Sequence, residues 1–204
     1  MERRLAAILA ADVVGFSKLV QDDEAATLRR LKAIWDQVFA AQISGHRGRI
    51  FKLMGDGLLA EFSSVVDAVD CAAAIQTAMG DGGTAGADGA PIEFRIGVNL
   101  GDLLIDGEDV LGDGVNVAVR REAAAPPGGV LVSDHVHSQV RGKVKVSFAD
   151  SGEIALKNID APLRAWSWQP AAARIKAKDK APAPEPERLS IAVLPFNNMS
   201  VDPE

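Results

Sequence analysis

The chain has 204 residues, 48% hydrophobic and 25% charged, which is a globular balance and excludes a disordered polymer. That length holds one ordinary domain of about 150 residues plus an appendage. A net charge of −6 with no basic stripe argues against nucleic acid as a partner, whereas a small anion needs only a few focused lysines and arginines.

The N-terminal "MERRLAAILAADVV" opens like an export signal, but Asp12 interrupts the apolar run and "DVVGFSKL" continues it, so Leu5 to Val14 is predicted to be a buried strand ending at Gly15. Asp22, Asp23 and Glu24 predict a helix start, and Leu28, Leu31, Trp35 and Val38 recur at helical spacing until Gly45. Ile50 to Phe62 is a hairpin turning at Asp56-Gly57. Ser64 with Asp67 predicts the capped start of an alanine-rich helix carrying Val65, Val69, Ala72 and Ala73. Cys71 within it is the only cysteine, which excludes an internal disulfide framework and fits a reducing, cytoplasmic compartment.

"GDGGTAGADGAP" is a loop, followed by strict alternation over Ile92, Phe94, Ile96, Val98 and Leu100, the pattern of a half-buried strand. Gly112 to Ala125 is glycine-led and then helical until Pro126 and Pro127. Short strands are predicted at 129–132, 144–148, 153–156 and 165–168. Helices interleaved with hairpins predict an α+β fold. No apolar run approaches the roughly 20 residues of a spanning helix, so no membrane insertion is expected. The predicted domain covers 1–169, an Ala/Lys/Pro linker covers 170–188, and "LSIAVLPFNNMSVDPE" (189–204) reads as the start of a second domain.

Chemistry concentrates at strand ends. Asp12 precedes a Gly-Phe-Ser turn, Phe16 and Ser17 included, whose amides can approach an anion, and Asp56 sits at the hairpin tip. Two such carboxylates suit divalent cations sharing substrate phosphates; each alone is equally an ordinary turn aspartate. Asn116 and Arg120 lie four apart on one helix face, either a phosphate-facing pair or a solvated face. Lys52 and Asp109 offer a donor and an acceptor matched to adenine, and Lys157 stands at a strand end, as a phosphate contact or a surface lysine.

"ADVVGFSKL", "FKLMGDGLLAEF" and "GDGVNVAVR", in this order, resemble the class III nucleotidyl cyclases over about Leu5 to Trp168. The resemblance implies a ferredoxin-like, palm-type mixed sheet flanked by helices. It also implies conversion of ATP to 3′,5′-cyclic AMP and pyrophosphate at a homodimer interface. By position, Asp12, Asp56 and the Val13 carbonyl would bind two Mg²⁺ or Mn²⁺ ions, and Lys52 and Asp109 would select the purine. Asn116 would orient the ribose, Arg120 would stabilise charge on the α-phosphate, and Lys157 would meet the terminal phosphates. Arg121, Leu111 and Asn158 depart from the residues usual in the family. Glutamate in place of Lys52, which a guanylate cyclase would favour, is absent; a nucleotide-binding, dimerising module without turnover is the alternative of another class. The last sixteen residues resemble the opening of a TolB-like segment, which in some bacterial proteins precedes tetratricopeptide repeats and would regulate the cyclase.

Overall fold

The computed structural model describes residues 2–80, 91–106, 109–111, 113–155, 162–171 and 173. The predicted loop over 81–90, Lys157, most of the linker and the whole segment 189–204 lie outside the described residues.

The first half is β1 (Glu2–Val13), α1 (Phe16–Ile34), a π-helical stretch (Trp35–Phe39), α2 (Ala40–Gly45), β2 (Arg49–Met54), β3 (Gly57–Phe62), α3 (Val65–Gly80) and β4 (Phe94–Asp106). Its strands lie in the order β2-β3-β1-β4, all antiparallel, which is the split βαβ arrangement expected of a ferredoxin-like sheet. The second half adds β5 (Asp109–Leu111), paired to the end of β4, then α4 (Asp113–Ala124), β6 (Val130–Ser133), α5 (Asp134–Val140), β7 (Ala149–Ile154) and β8 (Leu163–Trp168). β6 joins β4 in parallel, and β8 and β7 extend the sheet antiparallel, so the α+β mixed sheet runs β2-β3-β1-β4-β6-β8-β7.

The two faces of this sheet are built differently. One carries α1, α2, α3 and α5 over a core of Leu9, Ile34, Phe39, Phe62, Ile75 and Phe94. Trp35 packs edge-on against Phe39 and Phe94, with ring centroids 4.5 and 5.1 Å apart. Gln76 is buried there, and its amide donates to the carbonyls of Phe94 and Gly129, tying α3 to the starts of β4 and β6. The opposite face carries α4 on a thinner layer of Ala6, Ile8, Ala10, Leu59 and Leu103.

Helix α4 lies close because glycines replace side chains beneath it. A Cβ on Gly97 would stand 2.4 Å from the Glu122 nitrogen, and one on Gly101 2.7 Å from the Gly114 Cα. Any side chain at either position would push the helix away from the sheet.

Several local expectations need correction. Helix α1 begins at Phe16, six residues ahead of the acidic triplet; Asp23 is non-helical (φ −159°) and its carboxylate accepts from the Ala26 amide, so the triplet restarts a helix already under way. Leu28 is 46% exposed, and the buried position is Thr27, whose hydroxyl donates to the Leu19 carbonyl across that kink. Residues 144–148 form no strand: Val144, Val146 and Phe148 pack on the core with the predicted alternation, but the segment is bent and pairs with no neighbour. Helix α5 was not foreseen, although Ser133 caps it by accepting from the Val136 amide.

Candidate active site

The hairpin of β2 and β3 brings Asp56 to the end of β1. Gly55 turns the chain with φ +57°, the Val13 amide donates to the Asp56 carbonyl at 3.2 Å, and Asp12 pairs in register with Gly57. In β1, Ala11 and Val13 face the helix-rich core and Ala6, Ile8 and Ala10 face α4, so Asp12 falls on the α4 side. Burial raises the Asp12 carboxyl above its ordinary value, and the charge of Asp56 adds to the shift; the Val13 amide and Arg95 oppose it. Two carboxylates crowded into mutual repulsion are a donor set that suits hard divalent cations with oxygen ligands, with the Val13 carbonyl at hand and the remaining positions left to phosphates. Among the described residues no cluster of three or more His, Cys, Asp or Glu side chains forms a self-sufficient metal cage.

Lys52 reaches the same face through an irregularity. Ile50 pairs with Ala60, but Lys52 pairs with Leu59, so the register slips by one residue at Phe51. Leu59 belongs to the layer under α4, and cross-strand partners share a face, so the bulge turns Lys52 toward the Asp12 side instead of the helix-rich core. At this same end of β1, Phe16 and Ser17 open α1 behind Gly15, whose carbonyl takes the Lys18 and Leu19 amides; the two residues expected in a turn thus head a helix beside Asp12.

On α4, Val115 and Ala118 face the sheet, Asn116 is exposed and Arg120 is half-buried, so the predicted pair lies on the outer side of the helix. Asp109 falls in β5, opposite Asp106; its side chain, like all of Lys157, lies outside the described residues.

Two further charged residues complete this region and were not singled out from sequence. Glu122 is 7% exposed on the sheet side of α4, and Oε1 has no hydrogen-bond partner. Burial first, then the charge of Asp12, pushes its carboxyl up to about 8, with Arg95 pulling the other way. Arg95 pairs in register with Asp12. Both followed from periodicity: Val115, Ala118 and Glu122 are a helical stripe, and Arg95 alternates with Phe94 and Ile96.

A fold with paired carboxylates at a hairpin and an Asn/Arg helix on one face of a palm-type sheet is that of a nucleotidyl cyclase domain. Residues 3–168 match the family model for the adenylate and guanylate cyclase catalytic domain, and the chain belongs to that family. It is 48% identical over its whole length to Putative adenylate cyclase 3 of Rhizobium meliloti, covering 35% of that protein. It is 32% identical over 65% of its length to an adenylate cyclase of Streptomyces coelicolor, covering 33% of it. The chain thus spans about a third of these relatives. The crystal structure of an adenylate/guanylate cyclase/hydrolase from Silicibacter pomeroyi superposes with a TM-score of 0.76 at 41% identity, over 83% of this chain and 98% of that one. Among the described residues no helix is long and apolar enough to cross a membrane.

Proposed function

We propose that this domain is an adenylate cyclase that converts ATP to 3′,5′-cyclic AMP and pyrophosphate at sites shared between two copies of the chain. The observation that carries the reading is the convergence of Asp12 and Asp56 at the end of β1, on the face that also holds Lys52 and α4. Asp12, Asp56 and the Val13 carbonyl would hold two Mg²⁺ or Mn²⁺ ions, which when bound supply Lewis acidity to the 3′-oxygen and the departing phosphates.

The residues of the chain do the positioning. The ribose 3′-oxygen gives its proton to water and attacks the α-phosphorus of the same nucleotide, and the bond to the pyrophosphate oxygen breaks, that oxygen leaving with the electron pair. Arg120 meets the charge that builds on the α-phosphate, and Asn116 orients the ribose. Lys52 and Asp109 read the adenine edge, Lys157 meets the terminal phosphates, and the amides of Phe16 and Ser17 approach them from the head of α1. Asn116 projects from the outer side of α4 whereas Asp12 sits on the sheet beneath it, which supports a site completed by a second copy.

Purified protein incubated separately with ATP and GTP plus Mn²⁺, with products separated by chromatography, tests the reading. Cyclic AMP from ATP is expected. Cyclic GMP as the main product would overturn the base assignment, and no cyclic nucleotide from either would overturn the enzyme.

A further inference from the structure

Arg121 is 3% exposed, and neither its Nε nor its Nη1 has a hydrogen-bond partner. It forms part of the wall of a cavity of about 460 Å³ between α4, the end of β6, α5 and the start of β8, together with Asn99, Ser133, His135 and Ser138. Neither of two other charged residues on this wall compensates it. Arg164 pairs with Asp150 and lies over the Trp166 ring; Asp134 accepts from the neutral Trp166 Nε1 at 2.9 Å and so keeps its charge, but it does not act on Arg121, whose shift arises from burial alone. The buried charge of Arg121 is therefore left without compensation among the described residues, a strongly unfavourable state for a guanidinium.

What would relieve it is defined by the donors. A guanidinium presents parallel N–H groups in a rigid fork that fits the oxygens of a phosphate or carboxylate. The Ser133 oxygen already accepts from the Val136 amide, so its O–H is left to donate. Asn99 donates to the Gly114 carbonyl and Ser138 to the His135 carbonyl, and Asp134 is a carboxylate on the same wall that a bound anion must keep away from. An occupant with several acceptor oxygens, full negative charge and small size satisfies this wall, whereas an apolar ligand would leave Arg121 as it is.

We infer that this cavity is a binding site for a small phosphate-class oxoanion held by Arg121 and Ser133, on the α4 side of the sheet like Asp12 and Asp56 but lined by neither of them. The site does not depend on the proposed cyclase reaction. Burial also draws the Arg121 guanidinium below its ordinary value, the direction expected of a charge that lacks its counter-ion.

The test is binding of inorganic phosphate, and separately of pyrophosphate, to the full chain by isothermal titration calorimetry, without divalent metal or nucleotide and at constant ionic strength. Saturable binding is expected for the unaltered protein, with at least a tenfold loss in Arg121→Met. The anion with the lower Kd identifies which of the two phosphate forms the cavity takes. Should Arg121→Met fail to fold, Ser138→Asp places a carboxylate on the exposed rim and is expected to weaken binding at least tenfold. Binding unchanged in Arg121→Met, or in Ser138→Asp, would overturn the site. Binding lost in Arg120→Ala but kept in Arg121→Met would assign the anion to the proposed catalytic face, and absence of binding to either anion would also refute the inference.

Discussion

The helix-rich face of the sheet and the α4 face solve the same problem, covering a sheet, with opposite materials. The first uses large side chains: Phe39, Phe94, Ile34, Ile43 and Ile75 are all fully buried, and its stability rests on dispersion and removal of apolar area from water. The second uses fewer, with Ile8, Leu59 and Leu103 set among small residues. Ala6, Ala10 and Ala118 line it, Gly97 and Gly101 let α4 touch the sheet backbone, and buried polar atoms of Glu61, Arg95, Arg121 and Glu122 remain unpartnered. One layer makes the domain stable, and the other holds buried charge at a cost in stability, as the proposed site requires.

The sharpest way to test that division is to remove a carboxylate from the thin face. Asp56→Ala is expected to lower cyclase turnover by about a thousandfold or more while leaving the melting temperature within a few degrees, since a half-buried turn residue carries little packing. Because the proposed site draws on two chains, Asp12→Ala and Asn116→Ala, each inactive alone, should recover roughly a quarter of normal turnover when mixed and allowed to exchange. No recovery, with mixed dimers confirmed by mass spectrometry, would place the whole site on one chain.

The opposite signature is expected on the thick face. Phe94→Ala removes a fully buried ring that meets Trp35 and Phe39 and should destabilise by about 3–5 kcal/mol, with turnover per folded molecule preserved. Denaturant unfolding read beside activity separates the two effects; a normal midpoint would show that the core had closed over the gap.

Glu122 allows the same comparison through pH. A carboxyl raised to about 8 stabilises the fold only while protonated: its contribution is complete below the unfolded value near 4.5 and is lost as pH rises through 8. Metal-free protein should therefore lose on the order of 3 kcal/mol between pH 5 and 8 through this group, and Glu122→Gln should flatten that slope. Equal slopes in the two proteins would mean that Glu122 ionises without cost. Smallest is Ser133→Ala, which removes the cap of α5 and should cost about 1 kcal/mol, measured by chemical denaturation.

Sequence reasoning recovered whatever is written locally. The Asp-Gly turn set the hairpin, alternation set β4, and the glycine-led run set α4, so Asp12, Asp56, Asn116 and Arg120 were placed on the elements that carry them. It missed what depends on distant partners. Alternation over 144–148 reports which side chains face the core, not whether another strand stands alongside, so a bent segment passed for a strand. Helix α5 spans only seven residues, too few for a helical stripe to stand out. The chemistry of Lys52 is legible in the sequence, but the bulge that aims it appears only in the pairing with β3. Glu122 looks like a surface charge until a sheet is laid beneath the helix, whereas Arg121 already stands out from the residue usual at its position in the family.

Strand β1 lies in the interior of the sheet, between β3 and β4, yet it precedes both in the chain and pairs with β4 along all twelve of its residues. During synthesis it leaves the ribosome with two unsatisfied edges and a largely apolar side-chain set. Its β4 partner begins only at Phe94, about 80 residues later, a delay of roughly 4–16 s at ordinary elongation rates. Through that interval "LAAILAADV" is an exposed strand able to template another nascent chain. The yield of soluble protein should therefore depend on translation speed and chaperone supply far more than the stability of the finished domain would suggest.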